Sequence, residues 1–159
     1  PVVSPEPGAD TDQELFEARL DGLQILVVDD NQMTCEVLKT ILQKVGAEAT
    51  IAANVSEARK VIENQPLDAA LVDLAMPGEN GLDLIDSIRK HTREQVSQMP
   101  IVVITACVFD TDKDAAFAHG ASFFVPKPFR PFEVVRVLRH LTTSQALSAS
   151  TALRPVSQE

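Results

Sequence analysis

The stretch LQILVVDD, residues 23–30, decides the fold of this chain. Its apolar run, Leu23–Val28, has the length and β-branched content of a strand that is buried on both faces. Such strands belong to parallel sheets, in which helices cover both faces. Two carboxylates, Asp29 and Asp30, follow the run directly. Because ligands of parallel α/β sheets bind at the carboxyl ends of the strands, this stretch also indicates where chemistry is expected.

Strand-like and helix-like patterns alternate along the rest of the chain. The predicted strands are Leu23–Val28, Ala47–Ala53, Asp68–Leu74, Ile101–Thr105 and Ser122–Val125. The predicted helices are Met33–Val45, Ser56–Asn64, Gly81–Lys90, Asp112–His119 and Pro131–Leu141. In the first of them, the apolar residues at helical spacing are Met33, Val37, Leu38, Ile41, Leu42 and Val45. This alternation predicts an α/β fold, a flavodoxin-like, doubly wound, five-stranded parallel sheet of order 2-1-3-4-5 with helices on both faces.

Composition excludes several classes of protein. The 159 residues are 45% apolar, enough for one packed core, and they include no run long enough to insert into a membrane. The formal net charge of −9 gives the chain no general reason to bind nucleic acid directly. Cys35 and Cys107 lack the spacing of a zinc site or a disulfide framework, which favours reduced thiols in the cytosol.

The two ends differ from the middle. Residues 1–21 are predicted to be a linker that contains a short helix, since Thr11 and Glu14 have the spacing of a capping box. Residues 22–141 form the predicted domain. Residues 142–159, rich in serine, threonine and alanine, are predicted to be a flexible tail.

Four of the five predicted strands end in groups that can do chemistry. Asp29 and Asp30 follow the first strand, Asp73 lies in the third, Thr105 ends the fourth, and Lys127 follows the fifth. Three carboxylates in one pocket repel one another unless a cation such as Mg²⁺ lies between them. An ammonium and a hydroxyl beside them would hold phosphoryl oxygens. The set therefore predicts that an acyl phosphate forms on Asp73.

Each of these groups also has an ordinary structural interpretation. Asp29 and Asp30 can be a loop pair or a helix cap, Thr105 a β-branched strand residue, and Lys127 a surface cation. Cys107 is better explained as a small residue that fills space than as a redox switch, because no second cysteine is near it in the sequence. The functional interpretation depends on the combination.

The segment from Leu23 to Leu141 resembles a receiver domain of two-component signalling. The matching stretches, in order, are ILVVDDN at 25–31, LVDLAMPG at 71–78, Gly81, VITA at 103–106, Gly120-Ala121, and KPF at 127–129. The resemblance covers about three quarters of the chain. As an ordered set, these motifs are specific.

The resemblance implies a role for each matching residue. Asp73 would be the phosphoacceptor, Thr105 and Lys127 would hold the phosphoryl oxygens, and the Lys127–Pro128 peptide bond would be cis. The resemblance further implies a Mg²⁺ site made by Asp73, Asp30 directly, Asp29 through water, and the carbonyl of Ala75. The resemblance also implies that this segment is not an enzyme. It would be a phosphoacceptor with intrinsic phosphorylation and dephosphorylation chemistry, whereas the parent chain could be a histidine kinase.

The resemblance also implies a switch that couples Thr105 to the rotamer of Phe124. Relatives often carry a tyrosine at this position, so in this chain the switch can use packing only. Ala75 and Cys107 would flank the path of the attacking water. Because neither residue can orient that water strongly, we expect that they do not shorten the lifetime of the phosphoryl group.

The expected partner is a histidine kinase or a histidine-phosphotransfer domain. It would dock near Gln32 and Thr34 and on the segment Pro128, Phe129 and Arg130. A homodimer through the fourth helix, fifth strand and fifth helix is a further expectation.

The residues before the first strand indicate the receiver segment of a hybrid sensor histidine kinase, in the cytoplasm and tethered to a membrane sensor through the rest of its chain. Three alternatives stay open. They are a free-standing single-domain regulator, an amino-terminal receiver with an output domain, and a non-phosphorylated α/β interaction module. A small flavin-binding protein is disfavoured, because acidic strand ends repel a phosphate.

Overall fold

The strands and helices alternate as the sequence predicts. The computed structural model describes residues 20–76, 81–106, 110–130 and 132–142. The strands are β1 Gln24–Val28, β2 Glu48–Ala52, β3 Ala69–Val72, β4 Ile101–Thr105 and β5 Phe123–Pro126. The helices are α1 Gln32–Lys44, α2 Val55–Asn64, α3 Gly81–Arg89, α4 Asp110–His119 and α5 at 132–142, with a single helical turn at Glu94–Ser97. None of the helices within the described ranges has the length and apolar character that crossing a membrane requires.

All five strands are parallel and lie in the order β2-β1-β3-β4-β5, which confirms the predicted sheet. Val28 is aligned with Ala52 on one side and with Val72 on the other, so β1, β2 and β3 end at the same level. β5 lies at an edge of the sheet. Pro126, which cannot donate a ladder hydrogen bond, is tolerated there.

Two apolar layers cover the sheet. α1 and α5 pack on one face, through Leu38 and Leu138 among others. α2, α3 and α4 pack on the other, where Ile62, Ile85 and Ala116 are buried. Alternate residues of each strand point to opposite layers, and this explains why the central strands are apolar throughout.

Two residues of the apolar pattern in α1 do not belong to the core. Met33 is 76% exposed and Val37 is 43% exposed, although both belong to the apolar pattern of α1. Cys35 is buried instead, together with Leu38 and Leu42. A helix turns about 100° per residue, which places Met33 about 140° away from Leu38 around the axis. The six apolar residues therefore cover more than one face, and only the part centred on Leu38 meets the sheet.

Several boundaries differ by one or two residues. α4 begins at Asp110, two residues before the predicted start, and β5 runs from Phe123 to Pro126, where Ser122–Val125 was expected. Element ends are the least certain part of any pattern, because capping and tertiary packing set them. The predicted helix around Thr11–Glu14 and the predicted tail after Thr142 lie outside the described residues, as do Cys107, Pro131 and the end of the matching stretch, Pro77 and Gly78.

Arg89, the last residue of α3, binds three backbone carbonyls outside its own helix. Its Nε donates to the carbonyl of Gly120 (2.9 Å), and its Nη1 donates to those of Ser97 (2.9 Å) and Met99 (2.6 Å). Its guanidinium is half-buried, and burial lowers its pKa. The side chain thus joins the loop before β4 to the loop before β5, at the sheet edge opposite the acidic strand ends.

We expect Arg89→Ala to lower the free energy of unfolding by about 3 kcal/mol, because several hydrogen bonds to a charged donor are lost and carbonyls are left unpaired. Arg89→Lys should recover little, since an ammonium lacks the planar fork that reaches all three carbonyls. Urea denaturation measures the change. Lys90→Ala, which removes an 80% exposed neighbour, is the control and should cost no more than about 0.5 kcal/mol. An Arg89→Ala loss as small as that of the control would contradict the prediction.

Candidate acidic site at the strand ends

Three carboxylates meet at the carboxyl edge of the sheet. Asp29 and Asp30 follow β1 and Asp73 follows β3, and one oxygen of each lies within 4.8 Å of the others. Asp29 is 3% exposed and Asp73 is 5% exposed, whereas Asp30 is open to solvent. The adjacent positions of β1 and β3 in the sheet bring these residues together.

Lys127 lies between the two buried carboxylates. Its Nζ is 3.0 Å from Asp29 Oδ2 and 3.1 Å from Asp73 Oδ2. Burial by itself would lower the pKa of Lys127, but the hydrogen bonds and charges of Asp29 and Asp73 outweigh burial and raise it. The ammonium is therefore charged at neutral pH.

Backbone amides hold the other oxygens of the same carboxylates. The amide of Asn31 donates to Asp29 Oδ1 at 2.8 Å, and the amide of Ala75 donates to Asp73 Oδ1 at 2.9 Å. Asn31 is also the N-cap of α1, where its side chain accepts from the amide of Thr34. A local turn after each strand thus fixes one oxygen and leaves the other facing Lys127.

The charges of the acidic site do not balance among the residues that the structure describes. Asp29, Asp73 and the exposed Asp30 are three carboxylates, and the ammonium of Lys127, which binds Asp29 and Asp73, balances only one of their charges. The pKa of Asp29 is raised, chiefly by burial and further by the charge of Asp73, while the Asn31 amide and Lys127 oppose the rise. Clustered carboxylate oxygens with unbalanced negative charge suit a hard divalent cation, so the residues present fit Mg²⁺.

We expect Asp29→Asn to stabilise the protein in the presence of a chelator. An acid whose pKa is higher in the folded than in the unfolded chain binds more protons when folded. Ionisation of such an acid therefore lowers the free energy of unfolding as the pH rises through the pKa that the acid has in the folded chain. At neutral pH this cost is present in full, and Asn removes it. Urea denaturation at pH 7 should show a gain of about 1 kcal/mol.

The same comparison has a pH signature. The gain from Asp29→Asn should shrink as the pH falls below the folded pKa of Asp29, where the wild-type carboxyl is protonated. Asp83→Asn, which changes an exposed carboxylate in the first turn of α3, serves as the control and should not raise stability at pH 7. A loss of stability in Asp29→Asn at neutral pH would show that the charge of Asp29 is favourable in the fold.

Thr105 ends β4 at the same sheet edge. It is fully buried, and its carbonyl accepts from the Lys127 amide at 2.8 Å. Since Val72 pairs with Val103, β4 extends past the end of β3, and Thr105 lies one residue beyond the level of Asp73. The Lys127–Pro128 bond is cis, as the resemblance implied.

Phe124 lies in β5 and is buried in the layer formed by α2, α3 and α4. It pairs with Val103, two residues before Thr105. The Nζ of Lys113 in α4 is 5.9 Å from the centre of its ring, within the range of a cation–π contact. The predicted switch pair, Thr105 and Phe124, thus occupies neighbouring strands, and α4 covers the ring.

The remaining predicted residues follow β1, β3 and β5 in the chain and differ in exposure. Gln32, Ala75 and Pro128 are exposed, whereas Thr34, Phe129 and Arg130 are half-buried. Phe129 packs against the apolar layer that α1 and α5 form.

The sequence interpretation missed the exposed apolar pair Met33 and Val37, one turn apart on α1. A helical wheel centred on Leu38 would have placed both residues on the outer side.

The sequence matches one family model and individual proteins of known sequence. The family described as response regulator receiver domain matches residues 25–139. The transcriptional regulatory protein YvrH of Bacillus subtilis is 33% identical over 124 residues, which are 77% of this chain and 50% of YvrH. An uncharacterised 14.6 kDa protein of Leptolyngbya boryana is 32% identical over 120 residues, 76% of this chain and 90% of that protein. The chain thus spans about half the length of the regulatory protein and most of the shorter one.

Solved structures share the fold. The chemotaxis response regulator CheY4 of Vibrio cholerae is 26% identical and covers 75% of this chain and 98% of its own, with a TM-score of 0.68. A response regulator receiver domain protein of Methanospirillum hungatei is 25% identical and covers 79% of this chain and 98% of its own, with a TM-score of 0.74.

Proposed function

Since this chain belongs to the response regulator receiver domain family of two-component signalling, we propose that it accepts a phosphoryl group from a phosphohistidine onto Asp73, with Mg²⁺. The observation that carries the proposal is the position of the Lys127 ammonium, 3.1 Å from Asp73 Oδ2 and 3.0 Å from Asp29 Oδ2. A lysine whose side chain is only 20% exposed and spans two buried acids is costly to assemble as a purely structural feature. It is well placed to hold an incoming phosphoryl oxygen.

The proposed phosphoryl transfer needs no reactant other than the phosphohistidine donor and Asp73. A carboxylate oxygen of Asp73 attacks phosphorus, a new O–P bond forms, and the P–N bond to the donor imidazole breaks. The leaving imidazole keeps the electron pair of that bond. Mg²⁺, when bound by Asp29, Asp30, Asp73 and the Ala75 carbonyl, supplies positive charge for the phosphoryl oxygens. Lys127 and Thr105 supply a cation and a hydroxyl for the others.

We further propose that Thr105 and Phe124 convert phosphorylation into a change of surface. A hydroxyl drawn toward the phosphoryl group would leave space beneath α4, and the ring of Phe124 would repack into it. Because Phe124 has no hydroxyl, its two positions differ in packing alone. Phosphorylation needs to change the preference between the two states by only a few kcal/mol to shift most of the population.

Docking of the donor is proposed on α1 and on the segment after β5. The predicted contacts are Gln32, Thr34, Pro128, Phe129 and Arg130. Met33 and Val37 strengthen this proposal, because exposed apolar side chains one turn apart offer a stripe that another helix can cover. The stripe begins next to Asp30 and Asn31, so a helix bound there would lie close to the acidic site.

Val37→Glu should slow phosphotransfer from a phosphorylated histidine domain by about tenfold or more, because a charge would be buried against an apolar partner. The rate with a small phosphodonor should stay unchanged. Both rates can be measured by intact-protein mass spectrometry. Lys39→Gln, on the same helix, makes the net charge more negative by the same one unit, and this matched control should keep the wild-type rate with both donors. Equal rates for wild type and Val37→Glu with the histidine donor would place docking elsewhere.

The wider context is proposed as a hybrid sensor histidine kinase, of which this chain is the receiver segment. A free-standing regulator and an amino-terminal receiver with an output domain are the alternatives. Because kinases make phosphohistidine from ATP, we place the domain in the cytoplasm.

Phe117 and Phe123 are exposed large apolar residues in α4 and β5, and they support the proposed homodimer through α4, β5 and α5.

Incubation with a small phosphodonor tests the central proposal. In the presence of Mg²⁺, the wild-type protein should gain the mass of one phosphoryl group, and a chelator should prevent the gain. Loss of the label in hydroxylamine would identify an acyl phosphate. A wild-type protein that binds Mg²⁺ and is never labelled would favour the remaining alternative, a non-phosphorylated α/β interaction module.

A further inference from the structure

Gly81, at the start of α3, lies against the backbone that carries Asp73. A Cβ atom at this position would be 2.8 Å from the carbonyl oxygen of Asp73 and 3.0 Å from the Cα of Leu74. It would also be 3.2 Å from the Cδ2 of Leu74. The two shortest distances are to backbone atoms, which cannot turn away as a flexible side chain can. Only hydrogen fits between α3 and this loop.

The close approach of the backbone of Asp73 and Leu74 is enough to explain why residue 81 is a glycine. The backbone of Gly81 does not adopt a positive φ, so its conformation would accept other residues. Gly22 shows the opposite case, with a φ of 80° and no atom within 4 Å of an added Cβ. Conformation thus explains Gly22, and the approach of a helix to the Asp73 carbonyl explains Gly81.

Asp73 has little freedom to move away from such a contact. Its amide donates to the carbonyl of Val28 at 2.9 Å, which ties its backbone to β1. Its carboxylate is held by the Ala75 amide and by Lys127. A displacement of the Asp73 carbonyl would therefore change the position of its carboxylate relative to Asp29 and Lys127.

We propose that Gly81 is a positioning residue of the acidic site, whose missing side chain lets α3 fix the backbone of Asp73. This inference rests on the proposed function and adds to the site a residue that has no side chain. It acts through the carbonyl of Asp73 and the Cα of Leu74, the two atoms that an added Cβ would approach most closely.

The test compares Gly81→Ala with Gly22→Ala. Isothermal titration calorimetry with Mg²⁺ gives the affinity of each purified variant, and urea denaturation gives its stability. Gly81→Ala should weaken Mg²⁺ binding about tenfold, as losses in the shell around metal ligands do. Gly22→Ala should leave Mg²⁺ affinity at the wild-type value, although it loses about 1 kcal/mol of stability from its left-handed conformation. A purely structural role would make Mg²⁺ affinity follow stability in both variants.

A double variant locates the obstruction. Leu74→Ala removes the side-chain contact and leaves both backbone contacts, so adding it to Gly81→Ala should not restore Mg²⁺ affinity. Recovery would show that the Leu74 side chain, and not the backbone of Asp73, is displaced, and the proposal would be wrong. If Gly81→Ala is unfolded at 25 °C, the titration is repeated in sucrose, which favours the folded state.

The remaining outcomes are also decisive. A folded Gly81→Ala protein with wild-type Mg²⁺ affinity would overturn the positioning role, and so would a variant that stays unfolded in sucrose, because the glycine would then serve the whole fold. Failure of the wild-type protein itself to bind Mg²⁺ would instead contradict the proposed function. The two failures can thus be told apart.

Discussion

Asp73→Asn should abolish phosphorylation by a small phosphodonor. The amide is close in size and keeps an oxygen for the Ala75 amide, which binds Asp73 Oδ1 at 2.9 Å. It lacks the anionic oxygen that attacks phosphorus, so the nucleophile is lost with little change in shape. We expect the rate of labelling at this site to fall below detection in intact-protein mass spectrometry, a drop of at least about 10³-fold.

The matched control is Asp83→Asn, which changes an exposed carboxylate of α3 without touching the cluster. It should be labelled at the wild-type rate. Circular dichroism would show whether both variants keep the fold. Equal labelling of wild type and Asp73→Asn would mean that the phosphoryl group goes to another residue, and the assignment of Asp73 would have to be abandoned.

Lys127→Ala should have the second largest effect. It removes the ammonium that lies 3.1 Å from Asp73 Oδ2, and with it the charge that would stabilise the phosphoryl oxygens in the transition state. Loss of one such preorganised group lowers rates by about 10²–10³-fold, and we expect a reduction in this range for the small phosphodonor.

The same substitution should lower stability when Mg²⁺ is absent. Asp29 and Asp73 would stay buried without their shared cation, and breaking a buried ion pair from one side costs about 3 kcal/mol. Urea denaturation in chelator measures this loss. Added Mg²⁺ should recover part of it, because a second cation can take over the compensation of charge. Lys90→Ala, with an 80% exposed side chain, is the control. Wild-type stability of Lys127→Ala in chelator would show that the carboxylates need no internal cation.

The order of strands explains why the site could be anticipated at all. Parallel strands all end at one edge, so polar residues that follow apolar runs must meet there once the order is known. Asp29 and Asp73 follow adjacent strands, β1 and β3. Lys127 follows the edge strand β5 and reaches both acids through its long side chain. The prediction therefore depended on recognising strands and did not require knowledge of any distance.

The assignment of the switch residues had a different basis. Thr105 and Phe124 were assigned from the resemblance, and the structure places them on the paired strands β4 and β5. Nothing in the local pattern of β5 distinguishes Phe124 from Phe123. Their opposite burial follows from the alternation of the strand, and the register with Val103 decides which of them faces α4.

The sequence by itself determined the alternation of strands and helices, the parallel sheet, and the acids and lysine at its edge, because periodicity and strand ends are local properties. Tertiary structure alone decided the rest. Lys127 binds acids 98 and 54 residues away, and Arg89 binds three carbonyls outside its own helix. Gly81 lies against the Asp73 backbone, and Met33 and Val37 face outward. Such contacts join segments far apart in the chain, and their geometry follows from how whole helices pack on the sheet.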